Sequence, residues 1–172
     1  MKLSMITCTV TGTIGEYPIT KETTMKQIDT AQLDLNACQA QAAEYHARGF
    51  NGARAVAGTL APAVGLEPQV AFTLTEGFGA GMGGMTETCG AISGAVAIMG
   101  FVMSDGMENP KTKGQTYKLS REIAKRFGEK NTTTVCGALK GVGSDKGPLR
   151  SCPGCIDDAV EIACDVLKQL AE

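Results

Sequence analysis

Apolar residues recur at intervals of three and four along most of this chain, and that spacing constrains the fold more than any other feature. It is clearest near the end, where Ile156, Val160, Ala163, Leu167 and Leu170 share one face of a helix. A chain of 172 residues is long enough to bury roughly 70% of its unfolded surface in one core. The pattern therefore predicts an all-α protein with a single compact domain of about six helices.

Residues that cap, open or end helices divide the chain into segments. Residues 1–28 alternate only weakly, so we expect an N-terminal arm, a short strand or a hairpin there, followed by a helical domain of residues 29–172. The many Gly, Ala and Met residues favour close packing of helix against helix. The expected helices cover residues 30–49, 51–64 with an end or kink at Pro62, 68–77, 86–103, 110–128, a short turn around Cys136, and 152–172.

The composition argues against several classes of partner. Sixteen basic and eighteen acidic residues leave a net charge of -2, and no basic cluster is present to follow a phosphate backbone. The longest apolar run, residues 90–103, is shorter than the roughly 18 residues of a membrane span. The N-terminal residues lack the apolar stretch of a secretory signal. We therefore expect a cytoplasmic protein with no nucleic-acid partner and no membrane insertion.

The chain contains seven cysteines, which is typical of a protein that uses thiol chemistry. An odd number of thiols in a cytoplasmic chain favours metal binding or redox chemistry over a framework of disulfides. Cys89, Cys136 and Cys155 each stand three residues after a residue able to cap a helix, Thr86, Thr133 and Cys152. A thiolate in the first turn of a helix is stabilised by free backbone N–H groups and by the helix dipole. Several such helix ends aimed at one point would suit an anionic cluster.

Burial in the core is the ordinary role of a free cysteine. Cys164 lies beside the apolar stripe of the last helix and Cys38 lies among alanines of the first, so we expect both in the core. The surroundings of Cys8 support no assignment. His46, the one histidine, is expected on a polar face near a helix end.

A glycine loop, defined as Gly77–Gly84, precedes the apolar helix. Its last six residues match G-x-G-x-x-G after a possible strand, and Asp105 follows 21 residues after Gly84, which is the spacing of a dinucleotide-binding fingerprint. No further βαβ unit is readable after Asp105, so we favour a loop that lets two backbones approach closely.

The stretch "CGAISG" at residues 89–94, which follows the glycine loop, resembles the redox-active family named for its C_GCAxxG_C_C cysteine pattern. The likeness runs from about Ala31 to Leu170 and includes Cys136 and the region of Cys152 or Cys155. It implies a mainly helical domain, a redox role, and ligation of an iron–sulfur cluster or another metal by cysteine.

The chain departs from this family at Gly52, which stands where the family has its first cysteine. The resemblance then assigns Cys89, Cys136 and one of the terminal pair, with Cys152 the slightly better match. We infer that Cys155 restores a fourth thiolate, the number that an iron–sulfur cluster usually needs. Cys38 is the second choice, and an incomplete site without a cluster is the other outcome.

These patterns lead to one hypothesis and three alternatives. The hypothesis is an iron–sulfur protein for electron transfer or redox sensing, in which Gly90, Gly94 and the glycine loop let backbone N–H groups approach the sulfurs. The alternatives are a thiol–disulfide oxidoreductase using Cys152 and Cys155, a structural zinc site, and a structural helical domain with buried thiols. An unidentified redox partner protein and a homodimer are further expectations. The proposed metal ligands are Cys89, Cys136, Cys152 and Cys155.

Overall fold

Seven α-helices form the part of the chain that the computed structural model describes, residues 25–172. The structure is 72% helical and has no strand among these residues, so the predicted all-α single domain is confirmed. Most of the predicted arm or hairpin, residues 1–28, lies outside the described residues. The helices are α1 (Leu35–Ala47), α2 (Gly52–Leu60), α3 (Pro68–Thr75), α4 (Gly90–Met103), α5 (Lys113–Asn131), α6 (Cys136–Leu139) and α7 (Cys152–Ala171).

The start of α1 differs from the expected boundary. The expected helix begins at Thr30, but a 3-10 turn occupies Thr30–Gln32 and the α-helix begins at Leu35. The carboxylate of Asp34 accepts a hydrogen bond from the N–H of Ala37 at 2.9 Å, which is the usual role of aspartate before the first turn. A capping residue inside the apolar pattern therefore sets the boundary.

The end of α2 follows the expected effect of Pro62. The helix stops at Leu60, a 3-10 turn covers Pro62–Val64, and Gly65 takes φ +69°. Proline lacks the N–H that another helical turn needs, and glycine adopts the left-handed conformation easily. The sequence therefore predicted both the break and its position.

Helix α2 lies at the centre of the domain, in contact with α1, α3, α4 and α7. Nearly all of its residues are buried, and small residues bring its neighbours close. A Cβ atom at Gly58 would lie 2.7 Å from Cδ2 of Phe72 in α3. A Cβ atom at Gly94 in α4 would lie 3.0 Å from the Cα of Ala53. The expected close packing of helices is therefore present on both sides of α2.

The glycine loop does not follow a strand. Helix α3 precedes it, and the described residues contain no sheet, so they offer no βαβ unit for a dinucleotide. A Cβ atom at Gly81 would lie 2.7 Å from the Cβ of Cys136 and 2.8 Å from the carbonyl oxygen of Glu87. The loop therefore allows a close approach between segments, as the alternative reading of this motif predicted. None of the described helices is both long and apolar enough to cross a membrane.

Candidate functional site

Two backbone hydrogen bonds place Cys89 beside Cys136. The N–H of Cys89 donates to the carbonyl of Thr134 at 2.8 Å, and the N–H of Cys136 donates to the carbonyl of Glu87 at 2.9 Å. These bonds form an isolated antiparallel bridge between the segments that lead into α4 and α6. The bridge pairs Glu87–Cys89 with the segment before α6, which explains why α4 begins at Gly90 and not at the expected Thr86.

The start of α7 is attached to the end of α6. The N–H of Arg150 donates to the carbonyl of Leu139 at 3.1 Å. Ser151 then caps α7, because its hydroxyl accepts from the N–H of Gly154 at 3.1 Å. The sequence had suggested Cys152 as the capping residue, but Cys152 is the first residue of the helix. Both cysteines of this motif therefore lie in the first turns of α7.

All four cysteines that the sequence grouped together line one pocket of about 220 Å³. Cys89, Cys136 and Cys155 are buried, with exposed fractions of 6%, 5% and 1%, and Cys152 is exposed. The remaining walls come from the starts of α2 and α4 and from the edge of the glycine loop. We call this cavity the thiol pocket; its other lining residues are His46, Asn51, Gly52, Ala80, Met85, Gly90, Ala91, Lys140 and Ile156.

Cys89 is the most acidic of the three buried pocket thiols. The Cys155 thiol donates a hydrogen bond to its sulfur, and the N–H groups of Ala91 and Ile92 face it from the first turn of α4. These contacts and the charge of Lys140 outweigh burial and lower the pKa of Cys89 to about 6. Cys89 directly precedes α4, three residues closer to the helix start than the sequence suggested.

The neighbouring buried thiols are shifted in the opposite direction. Donation of its proton to Cys89, together with burial, raises the pKa of Cys155. Burial and the negative charge on Cys89 raise the pKa of Cys136. The pocket therefore favours a thiolate at Cys89, beside thiols at Cys155 and Cys136 that favour their protonated forms.

Lys140 supplies a positive charge to the pocket. Its ammonium donates to Sγ of Cys155 at 3.4 Å and to the carbonyl of Arg150 at 3.1 Å. Burial disfavours the charged form, but the sulfurs of Cys155 and Cys152 outweigh it and raise the pKa of Lys140. The lysine is therefore charged at neutral pH.

A comparison with known protein families identifies one match. The sequence model of the family described as "Putative redox-active protein (C_GCAxxG_C_C)" matches residues 50–166, which is more than half of the chain. The chain belongs to this family. No curated protein and no solved structure matches it. The C_GCAxxG_C_C family is one of redox-active proteins, and the match includes all four pocket cysteines and Lys140.

Gly52, which the resemblance places where the family has its first cysteine, also lines the pocket. Gly52 is the first residue of α2, and a Cβ atom there would lie 3.4 Å from Cγ1 of Ile156 and 3.6 Å from Cβ of Ala91. These are ordinary van der Waals distances, so the wall has room for a small side chain. A cysteine at this position would therefore line the same pocket that Cys155 occupies.

The two glycines of the stretch "CGAISG", Gly90 and Gly94, have different surroundings. Gly90 lines the thiol pocket, and a Cβ atom there would lie 2.8 Å from the carbonyl oxygen of Phe78. Gly94, one turn later, lies against the backbone of Ala53 and does not line the pocket. Close approach of α2 to α4 accounts for Gly94 without any cofactor.

Two residues of this pocket were missed as functional candidates. Lys140 lies four residues after Cys136, a spacing that places both on one face of a helical turn. That spacing is a signal the sequence offered. His46 was expected on a polar helix face, but its ring lies at the pocket wall, where Nδ1 is 3.0 Å from the carbonyl oxygen of Phe50. The sequence carried no comparable signal for His46.

The remaining described cysteines lie in the core. Cys38 and Cys164 are buried between α1 and α7, as expected, and their thiols are in hydrogen-bonding contact. Burial and the neighbouring thiol raise the pKa of Cys164 to about 12. Among the described residues, no group of three or more His, Cys, Asp or Glu side chains is arranged to hold a metal ion.

Proposed function

We propose that this redox-active protein binds an iron–sulfur cluster in the thiol pocket, with Cys89, Cys136, Cys152 and Cys155 as the ligands, for electron transfer or redox sensing. One observation carries the proposal: cysteines from the starts of three different helices line a single cavity. Free cysteines buried only as filler have no reason to share one cavity.

The donor set of the pocket fits such a group. Four thiols are the usual complement of a [2Fe–2S] or [4Fe–4S] cluster, and the sulfur of Cys89 already favours its thiolate form. A cluster is wider than a single ion, so its ligands surround a volume and need not converge on a point. The apolar neighbours Ala80, Ala91 and Ile156 complete the wall.

The protein's own residues hold, shield and polarise the site. The bridge between Thr88 and Val135 fixes the spacing of the first two thiols, and the start of α7 supplies the other two. Backbone N–H groups of Ala91 and Ile92 face the sulfur of Cys89 and stabilise its negative charge. A bound cluster supplies reversible one-electron chemistry.

Anaerobic purification and reconstitution test this proposal. We expect the wild-type protein to contain iron and acid-labile sulfide with a brown absorbance, and Cys→Ser variants at the four ligand positions to lose most of both. Cys38→Ala is the matched control, because Cys38 is a buried cysteine outside the pocket. Wild-type protein that holds neither iron nor sulfide after reconstitution would refute the cluster.

A specific contact favours a second candidate, thiol–disulfide exchange by Cys89 and Cys155. The Cys155 thiol donates to the Cys89 sulfur, so the two sulfurs are already neighbours. The Cys89 thiolate would attack a substrate disulfide, form a mixed disulfide and release one substrate thiolate. Cys155 would pass its proton to that thiolate and attack Cys89, which releases the second substrate thiolate. The substrate gains two electrons, and Cys89 and Cys155 end as a disulfide.

Mass spectrometry distinguishes this candidate from the cluster and from the Cys152–Cys155 couple predicted earlier. Metal-free protein treated with a small disulfide should yield a peptide cross-link that joins residues 89 and 155 if the contact is the reactive one. A cross-link between residues 152 and 155 would favour the couple within α7. Metal-free protein that forms neither cross-link would exclude both dithiol candidates.

A further inference from the structure

A single lysine stands among the four thiols of the pocket. Lys140 directly follows α6, and its ammonium donates to Sγ of Cys155 at 3.4 Å and interacts with the sulfur of Cys152. Its charge also acts on Cys89 and Cys136. Of the described residues that line the pocket, no other is a lysine or an arginine. All four sulfurs therefore share one fixed positive charge.

Hydrogen bonds from two directions hold this lysine in the pocket. Its backbone N–H donates to the carbonyl of Cys136 at 3.1 Å, and its ammonium donates to the carbonyl of Arg150 at 3.1 Å. The Arg150 guanidinium is itself fixed by two hydrogen bonds to the buried carboxylate of Asp158, at 2.9 and 3.0 Å. To move away from the sulfurs, the ammonium would therefore have to break its hydrogen bond to the carbonyl of Arg150.

We propose that Lys140 is the charge-compensating residue of the thiol pocket: its ammonium stabilises negative charge on the sulfurs and thereby raises the reduction potential of the centre they form. Reduction adds negative charge to an iron–sulfur centre, and a nearby cation lowers the free energy of that more negative state. The inference rests on the proposed function for the identity of the centre, but the effect on the sulfurs does not depend on it.

Charge variants of Lys140 test the effect on the potential. Lys140→Met removes the charge and keeps most of the apolar stem, Lys140→Arg keeps the charge, and Lys146→Met removes an exposed lysine that does not line the pocket. In a redox titration of the reconstituted protein, we expect Lys140→Met to reduce the equilibrium constant for reduction about tenfold, which is about 59 mV for one electron. Lys140→Arg should recover most of the shift, and Lys146→Met should match the wild type.

Alkylation of the metal-free protein is a second measurement that needs no cluster. At a fixed neutral pH, iodoacetamide should modify Cys89 of Lys140→Met about twofold more slowly than Cys89 of the wild type and Lys146→Met, because the thiolate loses its cation. Thermal unfolding confirms that each variant is folded. Wild-type protein without iron would refute the cluster, and the alkylation rates would still decide the role of Lys140. Equal potentials or equal alkylation rates in Lys140→Met and Lys146→Met would overturn the inference.

Discussion

Gly94→Ala tests the helix packing that supports the thiol pocket. A methyl group at this position of α4 would lie 3.0 Å from the C and Cα atoms of Ala53 in α2, and closer still to its carbonyl oxygen. Backbone atoms cannot rotate away as a side chain can, so the two helices must separate. The overpacking costs about 3 kcal/mol and the better helix propensity of alanine recovers about 1 kcal/mol, so we expect a net loss of about 2 kcal/mol.

Gly100→Ala is the matched control, because it makes the same change in the same helix without the clash. The nearest atom to a Cβ there, other than those of adjacent residues and the helix backbone, is Cγ2 of Thr116 at 4.0 Å. This variant should gain about 0.5–1 kcal/mol from helix propensity. Urea unfolding followed by far-UV circular dichroism measures the free energies of unfolding. Thermal scans should place Gly94→Ala about 4–8 °C below the wild type and Gly100→Ala slightly above it.

Equal stability of the two alanine variants would refute the reasoning, because α2 and α4 would then not approach each other at Gly94. An unchanged dependence on urea concentration would confirm that the comparison concerns stability and not a different unfolded state. The pocket offers an independent check. Gly52 begins α2 and Cys89 directly precedes α4, so separating the helices should speed alkylation of the buried Cys155 in Gly94→Ala alone.

Three further predictions concern charge and packing. In the metal-free protein, alkylation of Cys89 should be half-maximal near pH 6, whereas Cys164, with a pKa of about 12, should remain unmodified at neutral pH, as peptide mapping would show. Asp158→Ala should cost about 2–3 kcal/mol in urea unfolding, because Lys130 and Arg150 lose the buried carboxylate that binds them. Although burial opposes it, hydrogen bonds hold the pKa of this carboxyl below its ordinary 3.8, so its contribution is complete above that pH and is lost as the pH falls through the lower folded-state pKa. A cost of Asp158→Ala that does not begin to fall as the pH is lowered below 3.8 would contradict this. Gly58→Ala should destabilise by about 1 kcal/mol, less than Gly94→Ala, because the ring of Phe72 can turn aside.

Most of the fold could be predicted from patterns within short segments of the sequence. The apolar spacing of α7, the cap at Asn51 and the break at Pro62 are properties of short segments, and the structure agrees with each. The start of α4 was misplaced because the capping ability of Thr86 is a local property, whereas the bridge to Val135 is not. When a contact between distant segments sets a helix boundary, the apolar spacing of neither segment indicates that boundary.

The four thiols of the pocket were predictable, but the pairing between them was not. The position of each cysteine near a helix start grouped the four thiols, and the structure brings them together in one cavity. The sequence paired Cys155 with Cys152, three residues earlier, since spacing within a helix is all that a sequence displays. In the structure the Cys155 thiol donates instead to Cys89, which a separate helix end presents. Which sulfurs touch is therefore decided by how α4 and α7 pack.

The pocket also suggests why this chain can lack the family's first cysteine. A Cβ atom at Gly52 would contact Ile156, the residue that follows Cys155. Gly52 and Cys155 therefore line the same wall of the pocket. Exchanging a thiol at the start of α2 for one in the first turn of α7 would keep four sulfurs in the cavity. Such an exchange requires only that two helix ends face one cavity, because a ligand is selected by where its sulfur lies and not by which helix carries it. This shared wall supports the inference that Cys155 supplies the fourth thiolate.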